Sequence, residues 1–197
     1  MVIVVDGPIP DKTNSILIKY QYLDIIKIIR LGKNVGHGNA RRIGLQNCSN
    51  EIIALMDADD ISLPERFEKQ IEILRSNKNL SVIGSNVIEF EDKISNRIGI
   101  RKVPENDSDI KKYLRNRCPF NQQTVMMKKS DVIKAGGYLD WYNNEDYYLW
   151  LRLYLNNCEF YNIQESLVLF RTNDRMYKQR GGIKYFYSEY KQIGRAS

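Results

Sequence analysis

One stretch constrains this chain more than any other. Glu51-Ile52-Ile53-Ala54-Leu55-Met56 is an apolar run that ends abruptly in Asp57-Ala58-Asp59-Asp60, and after Ile61 comes Ser62-Leu63-Pro64-Glu65. A short continuous apolar run closed by a polar turn reads as a strand buried on both faces. Ser62 with Glu65 three places on, and Pro64 between, has the form of a capping box and predicts a helix starting there. Buried strand, acidic tip and helix belong to an α/β layer fold, in which ligands bind beyond the carboxyl ends of strands.

The rest of the chain extends this reading. Val2-Ile3-Val4-Val5 is a second apolar run, closed by Asp6-Gly7-Pro8. A central strand ordinarily follows other elements, so the expectation is that a β-α unit belongs ahead of Val2. A strand is predicted over Ile25 to Ile29, then a loop rich in Gly and Asn (Gly32, Asn34, Gly36, Gly38, Asn39) and a helix from Ala40 to Asn47. In the helix after Ser62, Phe67, Ile71 and Leu74 fall on one face. Strands are predicted over Ser81 to Phe90, Thr124 to Met127 and Leu167 to Phe170, with a short helix from Ser130 that stops at Gly136-Gly137. Glu145 to Asn156 is apolar nearly all round, the pattern of a buried helix. The expected architecture is one domain over 1–197, a Rossmann-like open sheet, mostly parallel, with helices on both faces and a basic, aromatic tail over 172–197.

Composition excludes several classes. With 43% hydrophobic and 27% charged residues, the chain is neither a disordered tail nor a fibre. Cys48, Cys118 and Cys158 are odd in number and far apart, which excludes a disulfide framework or a cysteine-built zinc site and suits a reducing compartment. No apolar run approaches the ~18–20 residues of a membrane span, and no secretory signal opens the chain. The net charge of +6 favours an anionic partner. No zinc-finger, basic-zipper or RNA-recognition signature accompanies it, so a nucleic acid is not the expected one.

Asp57-Ala58-Asp59 carries the most chemistry. Alternating carboxylates at a strand tip repel one another unless a cation sits between them, and hard ions such as Mg2+ and Mn2+ are held by one or two carboxylates plus substrate phosphates. A polar turn assisting the next helix would show the same residues. Glu145-Asp146 opens the apolar helix. Acidic residues there suit the helix dipole, and a carboxylate there also suits a general base that takes a proton from an attacking hydroxyl. The residues alone leave both readings open. His37, the one histidine, lies between glycines in a loop and reads as an exposed bystander. Trp141 and Tyr142 suit either a sugar-stacking role or the core.

Four segments in order resemble the family two glycosyltransferases of the GT-A fold: Val4-Val5-Asp6-Gly7, Asn34-Val35-Gly36 with Ala40-Arg41, Leu55-Met56-Asp57-Ala58-Asp59-Asp60, and Asn144-Glu145-Asp146 leading into Leu149-Trp150-Leu151-Arg152. The resemblance implies an inverting enzyme that moves a sugar from a nucleoside diphosphate donor, a UDP-sugar favoured, to a glycan or lipid-linked acceptor in bacterial polysaccharide assembly. It implies that Asp6 accepts hydrogen bonds from the nucleobase and that Arg41 lies near the nucleotide. Asp57 would face the ribose and the metal's shell, and Asp59 would ligate the Mg2+ or Mn2+ that bridges the diphosphate. Asp146 would be the base, with Glu145 orienting the acceptor or loop.

The chain departs from the family in places. Asp6 stands alone where two adjacent aspartates are usual, and Arg42 replaces the Asn after the loop arginine. The Gln-x-x-Arg-Trp signature of processive polymerases is not found, Lys178-Gln179-Arg180 lacking the tryptophan, which favours one sugar per cycle. The implied location is cytoplasmic, peripheral at the inner membrane face, where the tail (Arg175, Lys178, Arg180, Lys184, Lys191 and Arg195 among its aromatics) could lie on anionic lipid. Two alternatives stand beside this. A haloacid dehalogenase-type phosphatase also begins with strand and Asp-x-Asp, though Ile61 stands where Thr or Val is usual. A truncated nucleotide-binding domain without turnover would carry the same motifs.

Overall fold

Two long strands, β5 (Leu80–Glu91) and β8 (Glu159–Thr172), run parallel side by side through the middle of the molecule. This is a computed structural model, and it describes residues 1–141 and 144–172. Around the central pair the larger sheet is completed in the order β3 (Ile52–Ala54), β7 (Met126–Lys128), β5, β8, β4 (Ile61–Ser62), with β6 (Arg97–Arg101) paired to the outer half of β5. A separate two-stranded parallel sheet joins β1 (Val2–Val5) to β2 (Lys27–Arg30).

The expected α/β architecture is therefore present, but its sheet is mixed rather than mostly parallel. Within the larger sheet only β5–β8 is parallel; β3–β7, β5–β7, β5–β6 and β4–β8 are antiparallel. Continuous apolarity reports burial, not strand direction. Ile52 and Ile53 are apolar because they lie over the core, while β7 returns beside them in the opposite sense.

The β5–β8 ladder slips register at Ser85, Asn86 and Val87. Backbone groups freed by a bulge need other partners, and side chains supply them. The Thr124 hydroxyl accepts the Ser85 N–H at 3.0 Å, Asn121 Nδ2 donates to the Ser85 carbonyl at 3.0 Å, and Asn86 Oδ1 accepts the Val103 N–H at 2.9 Å. These polar residues are all buried, so the bend they stabilise is built into the core. The main apolar cluster lies against helix α6 (Glu145–Leu155), whose Leu149, Trp150 and Leu153 are fully buried. The Trp150 ring meets Phe120 at 5.1 Å between centroids. Helix α5 (Lys129–Lys134) stops where expected, at Gly136 and Gly137, both at positive φ.

Among the elements not apparent from the pattern are α1 (Asp11–Tyr20), which buries no residue, β4, β6, and α4 (Asp107–Tyr113). The helix after the acidic tip, α3 (Arg66–Ser76), differs in detail from its prediction. Ser62 belongs to β4 and caps nothing, and Phe67 is exposed. The face turned inward carries Arg66, Gln70 and Leu74. Arg66 is fully buried; its Nη2 donates to the Leu55 carbonyl at 2.8 Å and its Nε to Gln70 Oε1 at 3.1 Å, while burial pushes its pKa down to about 10. Gln70 Nε2 in turn donates to the Thr124 carbonyl at 2.7 Å. This polar pair fastens the end of β3 to its neighbour, and no hydrophobic periodicity announces it.

Gln70→Ala leaves both the Thr124 carbonyl and the Arg66 guanidinium short of a partner in the interior. An unsatisfied buried group costs roughly 1–3 kcal/mol, so a loss of about 2–3 kcal/mol is expected in urea unfolding. A change below about 0.5 kcal/mol, the scale of ordinary surface substitutions, would mean the network is dispensable.

Candidate active site

The residues singled out in the sequence lie at the ends of β1, β3, α2 (His37–Asn47) and α6, and the chain brings these ends together. At the end of β1, Gly7 takes φ 93°, and a Cβ there would fall 2.7 Å from the Asn34 nitrogen. Only glycine lets the two loops approach so closely. Asp6 beside it binds that second loop: Oδ1 accepts the Val35 N–H at 2.7 Å and Oδ2 the Gly36 N–H at 3.1 Å. Its carboxylate thereby shapes the Gly/Asn loop. A carboxylate has about four lone-pair sites, so acceptor capacity remains for a ligand.

Arg41, on α2, is the centre of the arrangement. Its Nη1 donates to Glu145 Oε1, and its Nη2 lies 3.6 Å from Asp57 Oδ1. Burial works against its charge, but Tyr138, Glu145, Asp57 and Asp146 outweigh that and hold its pKa above the ordinary value. One guanidinium thus joins the first helix after the loop, the acidic tip and the start of α6. This cross-link was not foreseen. Arg41 was expected near the nucleotide, and no local pattern links residues 104 positions apart.

The two carboxylates of the second acidic pair separate in character. Glu145 is buried against Arg41; burial pushes its pKa up and Arg41 pulls it back. Asp146 is half-exposed, and its Oδ1 accepts the N–H of Tyr147 at 2.7 Å. His37 is exposed, as expected. The Trp141 ring packs on Tyr148 at 4.4 Å; Tyr142 and the basic tail lie outside the described residues.

At the tip itself the Asp57 side chain is 41% exposed and Asp59 is exposed. Among the described residues no three His, Cys, Asp or Glu side chains converge as a complete metal cage. The donor set is two hard oxygen donors facing outward, which suits a Mg2+- or Mn2+-sized ion whose shell is completed by substrate phosphates and water. Asp60 faces inward: Oδ1 accepts the Arg171 N–H at 2.8 Å, and Oδ2 is buried with no partner among the described residues. Burial pushes its carboxyl up to about 7, with Asp59 and Asp57 adding to the rise. Arg171, near the end of β8, also donates from Nε to the Asp59 carbonyl at 3.1 Å and from Nη1 to the Asp92 carbonyl at 2.9 Å, with its guanidinium over the Phe90 ring. Nothing in the local sequence marks Arg171, because its contacts lie about 80 and 110 positions away.

The profile described as "Glycosyl transferase family 2" matches residues 1–137. The chain is 38% identical over 191 residues to the UDP-Gal:alpha-D-GlcNAc-diphosphoundecaprenol beta-1,3-galactosyltransferase of Escherichia coli, covering 97% of this chain and 69% of that protein. It is 36% identical over 189 residues to the amylovoran biosynthesis glycosyltransferase AmsE of Erwinia amylovora, covering 96% and 70%. The structure of S. aureus TarS in complex with UDP-GlcNAc superposes with a TM-score of 0.72 at 15% identity, over 97% of this chain and 55% of that one. The chain belongs to glycosyl transferase family 2 and has its GT-A fold. The phosphatase alternative is set aside on the same findings.

Asp60 titrates near 7 in the fold against an ordinary 3.8. The folded state therefore binds more protons across that window, so this group's contribution to stability is present below about pH 4 and is lost as pH rises through 7. Asp60→Asn keeps an acceptor for the Arg171 N–H and removes the titration. In urea unfolding with a chelator present, the variant is expected to gain on the wild type between pH 5 and pH 8. Parallel curves would mean that Asp60 is charged throughout.

Proposed function

We propose that this protein transfers one sugar per cycle, with inversion, from a UDP-sugar to a hydroxyl of a lipid-linked glycan during bacterial polysaccharide assembly. The observation that carries this reading is the Arg41 bridge, which ties a strand-tip Asp-x-Asp to a helix-start acidic pair and leaves Asp57, Asp59 and Asp146 accessible. The Escherichia coli relative, named for a UDP-Gal donor and a diphosphoundecaprenol-linked acceptor, supports the substrate classes.

The chemistry follows from the roles. Asp146 accepts the proton of the acceptor hydroxyl as its oxygen attacks the anomeric carbon, and the nucleoside diphosphate leaves from the opposite face. A Mg2+ or Mn2+ held by Asp59 and Asp57 would supply charge neutralisation for the departing diphosphate. Asp6 uses its remaining acceptor capacity for the N3–H of the uracil base. Glu145, paired to Arg41, orients the start of α6 and so the base beside it. The proposed place of action is peripheral, at the cytoplasmic face of the inner membrane; no described helix is long and apolar enough to cross one. No role for a nucleic acid follows from the site.

Two substitutions test binding and chemistry apart. Asp59→Ala is expected to abolish the manganese-dependent part of the thermal shift produced by UDP, without lowering the melting temperature of the unliganded protein. For the wild type, UDP with Mn2+ at about 100 times its dissociation constant should add roughly 2.7 kcal/mol of stability. An unchanged metal dependence in the variant would make the tip a purely structural turn.

Asp146→Asn preserves size and removes the proton acceptor. Transfer should fall by about 10²–10⁴-fold, the usual worth of a general base, while the UDP thermal shift stays where it was. Near-normal transfer would move the base elsewhere, with Glu145 next in line. If the wild-type chain binds UDP but never transfers, the domain binds nucleotide without turnover.

A further inference from the structure

We infer that the hairpin formed by β5 and β6 is the surface by which this protein docks on an anionic lipid bilayer; the inference rests on the lipid-linked acceptor proposed above. Residues 92–100 are all exposed, and among the described residues β6 pairs with β5 alone. Ile98 and Ile100 flank Gly99 on β6, where the ladder with β5 slips register and leaves Ile98 without a partner across it. They are 49% and 59% exposed, and Ile94 in the turn is 48% exposed. Arg101, at the end of the strand, is turned to the protein: it is paired with Glu89 and its guanidinium lies 4.7 Å from the Phe170 ring centroid.

Three half-exposed isoleucines along an unpaired edge are the feature that solvated edge strands are built to avoid. Here they are flanked by Lys93, Arg97 and Lys102, exposed and without an ion pair among the described residues, while Asp92 is the one acidic residue between 92 and 102. Apolar side chains framed by cations are complementary to an interface of acyl chains beneath anionic headgroups. The turn is also held in shape, since the Glu91 N–H donates to Asn96 at 3.1 Å and the Asn96 N–H to Lys93 at 2.8 Å. Arg171 fixes its position: one guanidinium donates to the carbonyls of Asp92 in the hairpin and of Asp59 in the acidic tip. A bilayer gripped by the hairpin therefore lies one side chain away from the proposed donor site, where a lipid-linked acceptor has to arrive.

The test is sedimentation of the full chain with vesicles of phosphatidylcholine, with and without phosphatidylglycerol. The wild type is expected to bind the anionic vesicles, and to release them as salt is raised. Lys93→Ser with Arg97→Ser should weaken binding about 25-fold, from about fivefold per basic residue near an anionic surface. Ile98→Ser with Ile100→Ser should weaken it roughly tenfold through lost apolar burial. Both variants should keep the wild-type UDP thermal shift and transfer to a short, water-soluble acceptor. A wild type that ignores phosphatidylglycerol, or variants that bind as tightly as it does, would overturn the inference. So would a wild-type dimer that the isoleucine variant splits, because the face would then join two copies of the chain. If vesicles are bound normally while UDP binding and transfer are absent, the donor-site reading fails and the docking surface stands.

Discussion

The arrangement depends on one guanidinium placed between two carboxylates that belong to different parts of the chain. Without Arg41 the Asp57 tip and the start of α6 would be two negative ends facing one another in a partly buried space, where like charges repel more strongly than in water. With it, Glu145 can be buried in spite of its charge, and α6 can bring its Trp150 face into the core while its first turn borders the site. A buried ion pair is weak evidence for stability, since desolvation consumes much of its attraction. Its consequence here is geometric: it fixes which carboxylate is occupied and which is left accessible.

The same logic governs the acidic tip from behind. Arg66 holds the Leu55 carbonyl, Arg41 approaches the Asp57 carboxylate, and Arg171 holds the Asp59 carbonyl and donates its backbone N–H to Asp60. At the two ends of the turn the cations act through main-chain oxygens, so the turn is shaped without neutralising the Asp59 side chain. The remaining repulsion is visible at Asp60, whose carboxyl is pushed up by burial and by its two acidic neighbours. A divalent ion outside the turn would relieve that repulsion, which is why two exposed carboxylates with buried cationic support suit a metal shared with phosphate better than a closed cage.

Much of this was legible in the sequence, and the reason differs from element to element. The apolar start of β5 and the nearly all-round apolar α6 declare themselves because burial on several sides leaves few polar positions, and Val2–Val5 by its run of β-branched residues, although only Val5 is buried. The Asp57–Asp59 tip declared itself by its place after such a strand. Strand direction did not, since β3 and β7 are as apolar as a parallel pair would be. Nor did the inward face of α3, because Arg66 and Gln70 are buried by hydrogen bonds rather than by hydrophobicity. The Arg41, Arg66 and Arg171 contacts join segments that only the finished fold brings together, and nothing in their local context marks them.

The neighbouring pair Glu145-Asp146 shows how adjacency in sequence becomes division in space. Successive residues of an α-helix point about 100° apart, so the first two of α6 cannot both face inward. Glu145 takes the inward direction because Arg41 is there to receive it, and Asp146 is thereby turned toward the open side. Exchanging the two would put the shorter carboxylate opposite Arg41, beyond easy reach of its guanidinium, and the longer, more mobile one at the open position. The order Glu-Asp thus places reach where the ion pair with Arg41 forms and the shorter, less mobile carboxylate at the open position proposed for the base.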